Sequence, residues 1–175
     1  MSFFLKKING NLKQPLFLAI AMMVAWFFFF GHKYQFIYNH GSSMEPTIQD
    51  SEWLVVQKAG KWKPSRFDVV IVKTDGEKLV KRIMATEGEN VTIKNGKLYI
   101  NGKELKEPYS KGDVTYWLEP EEERATKPKK EWLFFNVDEN IGLIPKGYVF
   151  VIGDNRELTW YGVVKEEGIQ ALVIF

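Results

Sequence analysis

The sequence predicts a mainly β domain carried behind a single N-terminal transmembrane helix. Three observations carry that prediction. Residues 14–31 form one uncharged, largely apolar run. From Trp53 onward the apolar residues fall into short β-branched or aromatic groups separated by turn residues, and two Asn-Gly pairs interrupt those groups. In a chain of 175 residues, giving the N-terminus to an anchor still leaves enough sequence to bury one core.

No charge appears between Lys13 and Lys33, and the run holds Leu16, Phe17, Leu18, Ile20, Met22, Met23, Val24 and an unbroken aromatic series, Trp26, Phe27, Phe28, Phe29 and Phe30. As a helix this run extends about 27 Å, against a hydrocarbon core of about 30 Å. Pro15 falls in the first turn, where its missing N–H is tolerated, and Lys33 and Tyr34 suit the headgroup level. Lys6, Lys7 and Lys13 outnumber Lys33, the close cation on the other flank, so the positive-inside tendency keeps the N-terminus in the cytoplasm. The expected organisation is a cytoplasmic segment at 1–13, a transmembrane helix at 14–32 and an extracytoplasmic domain at 33–175, at the plasma membrane. A cleaved export signal is the competing reading. The run is long for one, and its exit through Gly31, His32, Lys33, Tyr34 and Gln35 lacks paired small residues at cleavage spacing.

Within the domain, strands are expected at 53–56, 69–72, 91–93, 98–100, 148–152 and 172–175. The clearest local element is a hairpin turning at Asn95-Gly96, because Asn-Gly readily supplies the positive φ angles of a two-residue turn; Asn101-Gly102 follows at once. Residues 119–131, with Glu121-Glu122-Glu123-Arg124 and Lys127-Pro128-Lys129-Lys130 and almost nothing apolar, read as a solvated, mobile charged loop.

Composition removes several functional classes. A net charge of +2, from 24 basic and 22 acidic residues, is too balanced to indicate a nucleic-acid surface. The absence of cysteine excludes disulfides, thiolate metal sites and a cysteine nucleophile. The two histidines lack a cysteine or helical context that would make a metal site. The glycines form no phosphate-binding pattern. No metal or organic cofactor is expected.

The segment Gly41-Ser42-Ser43-Met44-Glu45-Pro46-Thr47 stands shortly beyond the apolar run, where Pro46 biases Glu45 toward an extended backbone. A serine nucleophile needs a base. His32 lies at the membrane exit, His40 is close to Ser43 in sequence, and no Gly-x-Ser-x-Gly elbow is present. A lysine serves if its amine is neutral, which at pH 7 means lowering its pKa by about three from about 10.4, at a cost of roughly 4 to 5 kcal/mol. Lys81 suits this role, because on an extended strand Leu79, Lys81 and Ile83 share one face. Lys78 lacks that setting.

Three ordered groups, Ser43-Met44-Glu45-Pro46-Thr47, Lys81-Arg82-Ile83 and Gly153-Asp154-Asn155-Arg156-Glu157, resemble the motifs of bacterial type I signal peptidases, serine peptidases of the S26 type with a Ser/Lys dyad. The anchor, the Asn-Gly hairpin and Ile144-Pro145-Lys146-Gly147 add to the resemblance, which spans nearly the whole chain. It implies a compact β domain of signal-peptidase type and a membrane-anchored endopeptidase that removes leader peptides from exported precursors. Ser43 would be the nucleophile and Lys81 the general base, with the Ser43 N–H meeting the oxyanion. Met44, Ser42 and Pro46 would contact substrate, with pockets preferring small residues before the cut. Thr159, Asp154 and Arg156 would support or orient the dyad. The partners implied are signal-peptide-bearing precursors, the lipid bilayer and the secretion machinery, with no nucleic acid.

The last motif departs from the family pattern. Arg156 is followed by Glu157-Leu158-Thr159-Trp160-Tyr161-Gly162, so Thr159 occupies a usual serine position and an Asp-Ser-Arg segment is missing. That deletion motivates a second reading, a catalytically weak or silent paralogue that binds leader peptides. A third is a conjugation-system maturation peptidase with a narrow client set.

Overall fold

The computed structural model describes residues 13–31, 33–60, 62–74, 76–118 and 133–174. The charged loop read at 119–131 and nearly all of the cytoplasmic segment read at 1–13 lie outside them. Helix α1, Lys13–Gly31, has 19 residues, and apolar side chains such as Phe17, Met23 and Phe27 on it are exposed. Among the described residues no helix is long and apolar enough to cross a membrane.

The rest is β structure. A seven-stranded antiparallel sheet runs in the order β1 (Tyr34–Tyr38), β2 (Trp53–Lys58), β13 (Ile169–Ile174), β3 (Val69–Thr74), β4 (Glu77–Ala85), β11 (Tyr148–Ile152) and β12 (Tyr161–Lys165). A four-stranded sheet orders β10 (Glu139–Leu143), β5 (Asn90–Lys94), β6 (Lys97–Ile100) and β7 (Lys103–Glu104), while β8 (Thr115–Leu118) pairs with β9 (Leu133–Asn136). The six strand-forming runs read from the sequence all lie on strands, with Phe175 outside the described residues. At the hairpin between β5 and β6, Asn95 and Gly96 both have positive φ, at 48° and 74°.

The apolar runs of β3 and β11 lack polar alternation because both sheet faces are packed. On β3, Val69 and Ile71 enter a cluster with Met44, Ile48, Leu54 and Val56, while Val70 and Val72 join Ile83, Val149 and Val151 on the opposite face. On β11, Phe150 and Ile152 face a third cluster shared with Val91, Ile93 and Leu98 of the smaller sheet. The β4–β11 ladder pairs Ala85 with Phe150, then shifts register to pair Ile83 with Val151 and Arg82 with Ile152. Among the described residues, no strand pairs with β4 on this side over 77–81.

Candidate active site

Ser43 sits in the loop at 39–52 that joins β1 to β2. The loop is closed at its base by Asn39, which is buried and donates from Nδ2 to Gln49 O at 2.9 Å and Gly41 O at 3.2 Å, while Ser51 N donates back to Asn39 O at 3.1 Å. Met44 and Ile48, joined by a turn with Ile48 N donating to Met44 O at 3.0 Å, drive their side chains into the core and leave Ser43 half-buried between them and solvent. The Glu45–Pro46 peptide is cis.

Lys81 reaches Ser43 from β4, which is held on one side by β3 through the Lys81–Val70 pairing. Its Nζ donates to Ser43 Oγ at 2.9 Å across 38 residues of sequence. The side chain is only 3% exposed. Burial lowers its pKa from an ordinary 10.5 to about 8, against the opposing charge of Asp154. At that value a useful fraction of the amine is neutral near pH 7, and the same 2.9 Å line then lets the amine take the serine proton. His40 lines the same cavity as Ser43, and its ring meets the Tyr38 ring edge-on at 4.8 Å.

Behind Ser43 and Lys81 lies a buried charge network. Arg82, next to Lys81, holds Asp154 through two hydrogen bonds, Nε to Oδ1 at 2.8 Å and Nη2 to Oδ2 at 2.6 Å. Its Nη1 donates to Phe67 O at 2.9 Å, and its guanidinium lies 4.2 Å from the Tyr109 ring centroid. Phe67 adopts φ 75°, a strained choice for a bulky residue at the position whose carbonyl receives Arg82. The Thr47 hydroxyl donates to Asp154 Oδ2 at 2.5 Å, tying the loop that carries Ser43 to the same carboxylate.

The segment at 153–156 grips the backbone at Ser42 and Ser43 directly. Asn155 N donates to Ser43 O at 3.0 Å and Asn155 Nδ2 to Ser42 O at 3.1 Å. Gly153 is required by this approach, because a β-carbon there would lie 2.2 Å from Ser43 O and 2.3 Å from Thr159 Oγ1. Among the described residues no acceptor takes up the Ser43 N–H. Thr159 accepts from Gly153 N and donates to Trp160 O, both at 3.0 Å. It therefore braces the end of β11, and the hydrogen bond of Lys81 goes to Ser43. Arg156 is buried and paired with Glu107. Met44, Ser42 and Pro46 are not among the residues lining the cavity at Ser43; Met44 is 1% exposed and lies in the core.

That cavity, about 250 Å³, is walled by Ile37, Ile71, Leu79 and Val80, with Ser43 and Lys81 also lining it. Sequence reading did not single out Thr47, Asn155 or Glu107. The first two sit inside quoted motifs without an assigned role, whereas Glu107 has no local signal because its partner is 49 residues away. Among the described residues no group of three His, Asp or Glu side chains is placed to hold a metal.

The family model described as signal peptidase, peptidase S26 matches residues 11–169. The chain belongs to that family. It is a serine endopeptidase of the class that removes signal peptides from precursor proteins. It is similar to signal peptidase I U of Bacillus subtilis strain 168, 36% identical over 155 residues that cover 86% of this chain and 76% of the relative. It is also similar to a signal peptidase I of Bacillus caldolyticus, 30% identical over 97% of this chain and 92% of the relative. Among solved structures, a signal peptidase I from Enterococcus faecalis V583 aligns with TM-score 0.47 and 25% identity, covering 65% of this chain and 98% of that one.

Proposed function

We propose that this peptidase is anchored in the plasma membrane by the segment at 14–32 and cuts exported precursors on the outer side, with Ser43 as nucleophile and Lys81 as general base. The observation that carries the catalytic assignment is the 2.9 Å contact between Lys81 Nζ and Ser43 Oγ, made by an amine that burial holds near pKa 8. Neutral Lys81 takes the serine proton as Oγ adds to the scissile carbonyl. The free N–H of Ser43 is placed to meet the developing oxyanion. The resulting ammonium returns the proton to the leaving amine, and water deprotonated by the same amine then releases the acyl group from Ser43.

The precursor lies extended along the open edge of β4 at 77–81, where unpaired backbone groups accept an added strand. Its residues before the cut enter the cavity whose apolar wall is Ile37, Ile71, Leu79 and Val80, and the preference for small side chains there is the one the family resemblance implies. Asp154, Arg156 and Thr159 act as supports, the first two by charge and the third through Gly153. Ser42 contributes its backbone to the nucleophile loop, and Met44 supports that loop from below.

The membrane assignment is supported by the uncharged run at 14–31, by the exposed apolar side chains of α1, and by an exposed apolar patch on the adjoining hairpin, where Phe36 pairs with Val55 and Tyr38 with Trp53. In this reading the remaining partners are the lipid bilayer and the secretion machinery that delivers precursors.

The test combines cut-site mapping and topology. Purified full chain in detergent should cut a reporter precursor after an Ala-x-Ala leader and should slow sharply when the residue before the cut is changed from Ala to Phe. Cutting that ignores this change would defeat the pocket assignment. Since the chain has no native cysteine, Ser2→Cys and Lys103→Cys report topology. In intact cells a membrane-impermeant maleimide should label the second and spare the first, and the reverse pattern would overturn the orientation.

A further inference from the structure

We propose that Glu107 is a positioning residue for the Ser43 nucleophile, acting through Arg156 and the loop that carries Asn155. The proposal rests on the peptidase reading of Ser43 and goes beyond it. Glu107 lies in Lys106-Glu107-Pro108-Tyr109, outside every motif that marks the family resemblance.

The chain of contacts is short. Ser43 and Ser42 present their carbonyls to Asn155, which donates to both. Asn155 is flanked by residues bound to a second loop, because Lys111 N donates to Asp154 O at 2.8 Å and Arg156 N donates to Lys111 O at 2.9 Å. This makes a parallel bridge between Lys111 and Asn155. The second loop is in turn pinned at its start by the ion pair of Glu107 with Arg156, whose side chains are 10% and 2% exposed. Ser110 closes the turn after Glu107, its N–H and its hydroxyl both donating to Glu107 O, at 3.1 Å and 2.9 Å. The same loop carries Tyr109 onto the guanidinium of Arg82, next to Lys81. Residues 107–111 thus touch supports of both dyad members.

Charge makes Glu107 the sensitive point. Two nitrogens of Arg156, Nε and Nη1, are buried without a hydrogen-bond partner among the described residues, so the Glu107 carboxylate is the counter-ion that Arg156 has at contact distance. Neutralising it leaves a guanidinium buried and unpaired, which the structure relieves by moving the loop. Because the Asn155 hydrogen bonds are rigidly coupled to that loop, the displacement passes to Ser43, where a misplacement on the order of 1 Å costs a large part of the rate.

The experiment compares full-chain enzyme in detergent with Glu107→Gln, Glu107→Asp and, as a reference, Ser43→Ala, on a reporter precursor with an Ala-x-Ala leader. Kinetics are read per folded molecule, well below each variant's melting temperature. Glu107→Gln is expected to lose about 10- to 100-fold in kcat with KM within about twofold, and Glu107→Asp, which keeps the charge, to recover part of that loss. A kcat for Glu107→Gln equal to wild type, with only the melting temperature reduced, would overturn the proposal by making the pair merely structural. If Glu107→Gln does not fold, Glu107→Gln made together with Arg156→Met, which removes the ion pair without leaving a buried charge unpaired, decides: reduced kcat at unchanged KM supports the proposal, and wild-type kcat defeats it. An inert wild type would bring down the peptidase reading as well, whereas an active wild type with unaffected variants removes the role of Glu107 alone.

Discussion

Replacing Lys81 by Met should abolish cleavage and at the same time stabilise the fold, because the lysine is kept buried at a thermodynamic cost. Lowering the amine from 10.5 to about 8 corresponds to about 3 kcal/mol, at roughly 1.4 kcal/mol for each tenfold change. Methionine fills a similar volume without a charge to desolvate. Losing the hydrogen bond to Ser43 Oγ returns about 1 kcal/mol, so the variant should be more stable by about 2 kcal/mol near pH 7. In a domain of this size that raises the melting temperature by about 4–8 °C. The sign of the pH dependence is fixed. Between about 8 and 10.5 the unfolded chain holds a proton that folded Lys81 has released, so wild-type stability climbs with pH through that window and is lost again as pH falls through 8. The advantage of Lys81→Met should therefore be greatest below pH 8 and shrink by about 3 kcal/mol as pH passes 10.5. Thermal unfolding of both proteins in one detergent, followed by circular dichroism across that range, measures it. A variant less stable than wild type at neutral pH, or a gap that does not change with pH, would refute the argument.

Three other perturbations test the supports. Gly153→Ala places a β-carbon 2.2 Å from Ser43 O; it should destabilise the domain by about 1–3 kcal/mol and suppress cleavage, which chemical denaturation and a precursor assay would show together. Asn155→Ala removes the side-chain hydrogen bond to Ser42 O and should lower kcat about tenfold with little change in KM, measured by steady-state kinetics. Asp154→Asn removes a charge that raises the Lys81 pKa, so whatever activity survives should have its acid limb at lower pH than wild type, although loss of the buried Arg82 pair should cost about 3–5 kcal/mol of stability.

Much of this fold was written in local sequence. The runs at 69–72 and 148–152 named strands because both faces of the large sheet bury them, and Asn95-Gly96 named its turn by the φ angles it adopts. Strands β1, β7, β8, β9, β10 and β12 were not read from the sequence. β1 follows the apolar run so closely that Tyr34 read as a headgroup anchor, and β10 and β12 carry a glycine each and only partly buried faces. The pairing of Ser43 with Lys81 was readable from motif order and from the apolar neighbours of Lys81. Asp154 and Arg156 were named as supports from the last motif, but Asn155 and Glu107 were not, since Asn155 works on backbone carbonyls and Glu107 on a charge brought close by folding, and neither leaves a periodic trace. Thr159, read as an orienter of the lysine, has its hydroxyl turned to Gly153 and Trp160, because the close packing of Gly153 against it sets that geometry.

The central claim is that a buried, neutral Lys81 activates Ser43, and the pH dependence of kcat/KM on an Ala-x-Ala precursor tests it most directly, with Ser43→Ala and Lys81→Ala measured alongside. The predicted profile rises about tenfold per pH unit from about pH 6 and levels near pH 8, with no cleavage by either variant. Cleavage retained by Lys81→Ala, or a wild-type rate flat from acidic to alkaline pH, would contradict it.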